Sequence, residues 1–67
     1  MNKQLFRREQ TINMILATIE EVVRNEKEIN EKDLVLEIMV KTSVTKRTAR
    51  EYFEVAKAKF DRKNKGN

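Results

Sequence analysis

TSVTKRTAREYF, residues Thr42 to Phe53, is the stretch that decides the fold. Small hydroxyl residues around a single Val lead into a run in which basic and apolar residues are interleaved. In a helix turning 100° per residue, Tyr52, Phe53, Ala56 and Phe60 fall within about 60° of Ala49. Lys46, Arg47, Arg50 and Lys57 fall on one flank and the far side. One helix therefore has two separate faces, one fit to pack and the other fit for water or a polyanion. Thr45 is a good N-cap for it, and Val44 and Ala49 stand at hydrophobic-staple positions. The apolar stripe carries this helix to about Arg62, and residues 63–67 are expected to fray as a basic tail.

Working back toward the N-terminus, a second helix is expected from Glu31 to about Lys41. Asn30 is its N-cap, Asp33 lies in its first turn, and Ile29 and Leu34 are spaced for a staple. Leu34, Val35, Ile38 and Met39 form its inner face, while Leu36 and Val40 point the other way. LVLEIMV is rich enough in branched residues for a strand over 35–40, but it lacks turn signals and a pairing partner. A first helix is expected from about Lys3 to Asn25. Its stripe is Leu5, Ile12, Ile15, Leu16, Ile19, Val22 and Val23, with Phe6 and Met14 off it. Asn25 suits a left-handed helix end. The fold expected is all-α: three helices in one domain, residues 1–67, with a tight turn before a long basic third helix.

Composition narrows the function. The chain has 67 residues, 39% of them charged, with no Cys, no His, no Pro and one Gly, Gly66. Without His or Cys it lacks the commonest acid–base group, the thiol nucleophile and the commonest metal ligands. Without an internal Gly-rich loop it lacks a phosphate cradle. Neither catalysis nor a cofactor is expected, and no small-molecule ligand is evident. No apolar run approaches the roughly 20 residues of a membrane span, and MNKQLFRREQ lacks the apolar core of a secretory signal. The absence of Cys fits the cytoplasm. Charge is divided unevenly. Residues 1–40 carry six Lys/Arg against eight Asp/Glu and residues 41–67 nine against three, so a balance of −2 precedes one of +6 within the overall +4. Positive charge gathered in one segment is the mark of a nucleic-acid footprint, although a basic tail also aids solubility.

Lys41 and Thr45 leave room for a turn of three or four residues, too short for any but a steep crossing of the second and third helices. Val44 would plug that corner from inside. Here the residues resemble a family. TSVTKRTAREYF looks like the turn and second helix of helix-turn-helix DNA-binding domains, where the turn often reads Gly-Val-Ser, then a basic residue, Arg-Thr, a small apolar residue and an aromatic or Leu. The likeness covers about residues 34–56, with the first helix in the usual supporting place. Ser43 stands where the family has Gly, at a cost of about 1–2 kcal/mol if left-handed. Met39 stands where a small residue is usual, which would set the two helices further apart. No Gly-containing hairpin follows the third helix, so no wing is expected.

The resemblance implies a site for double-stranded DNA. Thr45 would hold a phosphate through its hydroxyl and the free N–H groups of the first turn. Lys46 would neutralise a phosphate, Arg47, Arg50 and Glu51 would face base edges in the major groove, and Lys41, Thr42 and Ser43 would flank the backbone. Lys57 could reach a more distant phosphate. Arg47–Glu51, Arg50–Glu54 and Lys57–Asp61 are, equally, i,i+4 pairs that stabilise an exposed helix by about 0.2–0.5 kcal/mol each with no ligand. Many such domains act as homodimers that place two helices one DNA turn, about 34 Å, apart. Phe6, Met14, Leu36 and Val40, with Val55, are the apolar residues off the main stripes, and the first four are the candidate dimer contact. The function implied is transcription regulation in the cytoplasm, on the nucleoid. A partition or recombination accessory factor would use the same chemistry. A three-helix adaptor docking an acidic protein is the alternative from another class. Membrane-surface binding by the third helix is disfavoured by its narrow apolar face.

Overall fold

The three apolar stripes become three α-helices in the computed structural model, α1 (Lys3–Arg24), α2 (Glu31–Thr42) and α3 (Lys46–Lys65). The structure describes the backbone of residues 3–65 and the side chains of residues 7–64. The fold is all-α, with no strand among the described residues, and α2 takes up the segment 35–40 that could have been read as one. Leu5 of the expected stripe and Phe6 of the expected dimer contact lie outside the described side chains.

The core is one dry cluster. Ile12, Ile15 and Ile19 come from α1, Leu34, Val35 and Ile38 from α2, and Ala49, Phe53 and Ala56 from α3. Each triplet follows the 3.6-residue period, so each helix contributes one face. Phe53 and the three Ile side chains are the largest fully buried groups, and no polar or charged residue is buried among the described ones. Helix α3 packs on both other helices. Ala49 and Ala56 are fully buried in it, and their small side chains let its backbone come close.

Cross-helix contacts give direction. Arg8 lies 5.9 Å from the centre of the Tyr52 ring, and Lys63 Nζ lies 2.9 Å from Glu20 Oε2. Position advances together along α1 and α3, so the two helices run the same way. This explains two corrections. Val23 belongs to the α1 stripe by angle yet is 45% exposed; it lies about one turn beyond the Glu20–Lys63 pair. The expected basic tail at 63–67 is instead helical through Lys65. Phe60 packs on the core, Lys63 reaches Glu20, and Asn64 Nδ2 donates to the Phe60 carbonyl at 2.9 Å, so the last turn has partners that sequence spacing did not reveal.

The end of α1 also differs. Glu26, not Asn25, is left-handed, with φ 57. Lys27 N–H donates to the Val22 carbonyl and Glu26 N–H to the Val23 carbonyl, each at 3.0 Å, the paired closure of a Schellman end. That closure fixes the left-handed position two residues past the last helical one, and Asn25 still makes a helical bond to Glu21. The start of α2 is as expected. Asn30 has extended backbone, and its Oδ1 accepts the Asp33 N–H at 3.2 Å. Ile29 packs on the core behind it.

Candidate nucleic-acid interface

Three residues, Ser43 to Thr45, separate α2 from α3. Ser43 is left-handed (φ 56, ψ 36), and its N–H donates to the Met39 carbonyl at 2.9 Å. An L-residue accepts that conformation at a cost of about 1–2 kcal/mol, offset here by closing an otherwise unpaired helix-end carbonyl. Val44 follows and packs against the core. Thr45 then caps α3, its Oγ1 accepting the Thr48 N–H at 3.2 Å and donating to Thr48 Oγ1 at 3.1 Å. Bond, plug and cap on three successive residues fix where α3 begins.

The first two turns of α3 carry the basic residues outward. Lys46, Arg47, Arg50 and Glu51 are all exposed, while Ala49 and Phe53 on the same helix are buried. Among the described residues, none of the i,i+4 pairs that spacing allows, Arg47–Glu51, Arg50–Glu54 and Lys57–Asp61, reaches ion-pair distance. Lys46 and Arg47 pair with no carboxylate among the described residues. Arg50 pairs across the fold, its Nε 3.6 Å from Glu31 Oε1 on the first turn of α2. Both side chains are more than half exposed or close to it, so solvent screens the pair and its worth in stability is at most about 1 kcal/mol.

The remaining candidate residues are placed less uniformly. Thr45 lies at the head of α3 with its hydroxyl engaged in the cap, so free N–H groups at that end would carry any phosphate contact. Thr42 turns its hydroxyl inward, donating to the Ile38 carbonyl at 2.6 Å, and Lys41 pairs with Glu37 at 2.8 Å. Ser43 is exposed at the corner. Lys57 is exposed but about 16 Å along the axis from Lys46 at 1.5 Å per residue, two turns beyond the cluster. The structure thus brings Thr45, Lys46, Arg47, Arg50 and Glu51 together, sets Lys41, Thr42 and Ser43 across the corner, and leaves Lys57 apart.

Sequence reasoning passed over the part α2 plays here. Between α2 and the front of α3 lies an open groove of about 480 Å³ lined by Glu31, Lys32, Val35, Leu36, Met39, Lys46 and Arg50. Its floor is apolar, and its rim holds three cations and one carboxylate. The spacing Lys32–Leu36 together with Val35–Met39 marks one side of α2, and that signal was available. The apolar residues named for a dimer contact are exposed: Met14 to 38%, Leu36 to 57% and Val40 to 81%. Leu36 and Val40 stand one turn apart on α2. Met14 lines a crevice with Glu37 and Lys41 of α2. Phe6 falls outside the described side chains.

No group of His, Cys, Asp and Glu among the described residues could hold a metal ion. No helix among them is long and apolar enough to cross a membrane. Comparison of the chain with protein-family models, with curated proteins and with solved structures finds no match in any of the three.

Proposed function

We propose that this chain is a helix-turn-helix protein that binds double-stranded DNA sequence-specifically, with the front of α3 in the major groove, and that it regulates transcription. One observation carries the reading: Lys46, Arg47 and Arg50 stand exposed on the first two turns of a helix whose origin is fixed by a three-residue corner, and none is drawn into a pair along its own helix. A helix of about 10–12 Å diameter fits a major groove about 12 Å wide. Lys46 neutralises a phosphate, and the N-terminus of α3 adds its own positive end. Arg50 and Arg47 address guanine O6 and N7, and Glu51 accepts from cytosine N4. The protein works in the cytoplasm, on the nucleoid, and acts by binding rather than catalysis. A homodimer doubles the few base pairs one helix can read, and Val40, the most exposed large apolar residue, belongs to its contact.

Selection of sites from random duplex DNA tests this directly. The expected result is a palindromic site preferred over random duplex by roughly 10³ or more. On that site, Arg50→Ala costs about 1–3 kcal/mol at one base position. Lys46→Ala weakens all sequences alike and flattens the salt dependence by about one phosphate. Equal, sequence-independent losses for both variants would show that α3 does not read bases. The groove favours a second reading, an adaptor that seats an acidic apolar segment of another protein on Leu36 and Met39 between Lys46 and Arg50. An adaptor shows no preference among duplexes.

A further inference from the structure

We propose that Glu31 is a positioning residue for Arg50, holding its guanidinium ready for guanine. This rests on the DNA-reading proposal above and names a residue of that site lying outside the basic helix. Of the three cations at the front of α3, Arg50 alone has a carboxylate partner among the described residues, and that partner comes from another helix. Glu54, one turn along α3 and free to pair, is not the partner, so tertiary placement sets the choice rather than helix spacing. Contact is through Nε, the nitrogen at the stem of the guanidinium. At 3.6 Å this is an ion pair rather than a hydrogen bond, so the N–H donors of the two terminal nitrogens stay available for the paired O6 and N7 of guanine.

Glu31 has a firm base for this role. It is the first residue of α2, directly after the Asn30 cap, whose Oδ1 accepts the Asp33 N–H. Ile29 on one side and Leu34 and Val35 on the other pack into the core. The positive end of α2 favours an acidic residue there in any case. That effect, which Asp33 shares, does not account for the approach to Arg50. The apolar groove floor of Val35, Leu36 and Met39 lies beneath both side chains and can carry the Arg50 stem. Glu31 also sets a negative charge beside the phosphate-facing rim. That charge lowers affinity for every duplex alike, and only a guanine engaged by the positioned Arg50 offsets it, so random DNA is bound less tightly.

The test uses the full chain, the duplex selected above, the same duplex with the guanine under Arg50 replaced, and a random duplex. Glu31→Gln removes the charge but keeps the shape. The expected result is a fall of about two- to fivefold in discrimination at that base, the range an exposed ion pair supports, with tighter binding to random duplex. In an Arg50→Ala background, Glu31→Gln should leave discrimination at that base unchanged, and Glu31→Asp should keep part of it. Thermal melts of each variant separate these effects from loss of fold. A wild-type preference that Glu31→Gln leaves intact, or a change equal for all three duplexes, would overturn the positioning role while sparing the DNA reading. A wild-type protein without any duplex preference would overturn both.

Discussion

Glu26 and Ser43 occupy the same corner of backbone space, φ 57 and φ 56, each just past the end of a helix. The connections around them otherwise differ. From Asn25 to Glu28 every side chain is exposed, and only Ile29 packs on the core before α2 begins. From Ser43 to Thr45 a backbone bond to Met39, the packing of Val44 and the capping of Thr48 follow without a spare residue. The first connection joins two helices and could be longer. The second fixes the point and direction from which Lys46, Arg47 and Arg50 leave the core. Left-handed geometry alone therefore says little about function; what the neighbouring residues hold decides it.

Insertion should separate the two connections most. Two glycines between Lys27 and Glu28 lengthen an exposed loop and should cost about 0.5 kcal/mol. Two glycines between Ser43 and Val44 pull Val44 out of the corner and should cost about 2 kcal/mol or more, with loss of duplex preference. Urea melts of both variants check this, and equal costs would erase the distinction. Next come the caps. Asn30→Ala and Thr45→Ala should each cost about 1 kcal/mol in the same melts. Only Thr45→Ala should also weaken DNA binding, because it frees the end of α3. The smallest effect is expected from glycine at the two left-handed positions. Glu26→Gly and Ser43→Gly should each stabilise by up to about 1 kcal/mol, the relieved backbone strain less the added freedom of the unfolded chain. Thermal melts measure it, and destabilisation at Ser43 would mean that its hydroxyl has a structural role.

Much of the fold was legible because periodicity and capping are local. The inner faces of α2 and α3, the caps Asn30 and Thr45 and the plug Val44 all follow from neighbours within four residues. What escaped depends on residues distant in sequence. Val23 has the right angle for burial but lies about one turn beyond the Glu20–Lys63 pair and is 45% exposed. The last turn of α3 is supported by Glu20 of α1, 43 positions away. Spacing allows Arg50 to pair with Glu54 along its own helix, yet its partner is Glu31 of α2. For the candidate site, the basic residues and the helix that carries them could be read from spacing. The side of α2 that walls the groove also has its spacing, Lys32–Leu36 with Val35–Met39, but that it faces α3 follows only from the corner at Ser43, which folds α2 against α3.

The central claim is that the front of α3 is the surface that meets DNA. Backbone amide chemical shifts of the isotopically labelled protein, followed during titration with the selected duplex, test it residue by residue. The largest changes are expected from Ser43 to Glu51, with smaller ones at Glu31 and Lys32 and almost none from Asn25 to Glu28. Changes centred on α1 or on the first connection, or none at saturating duplex, would contradict it.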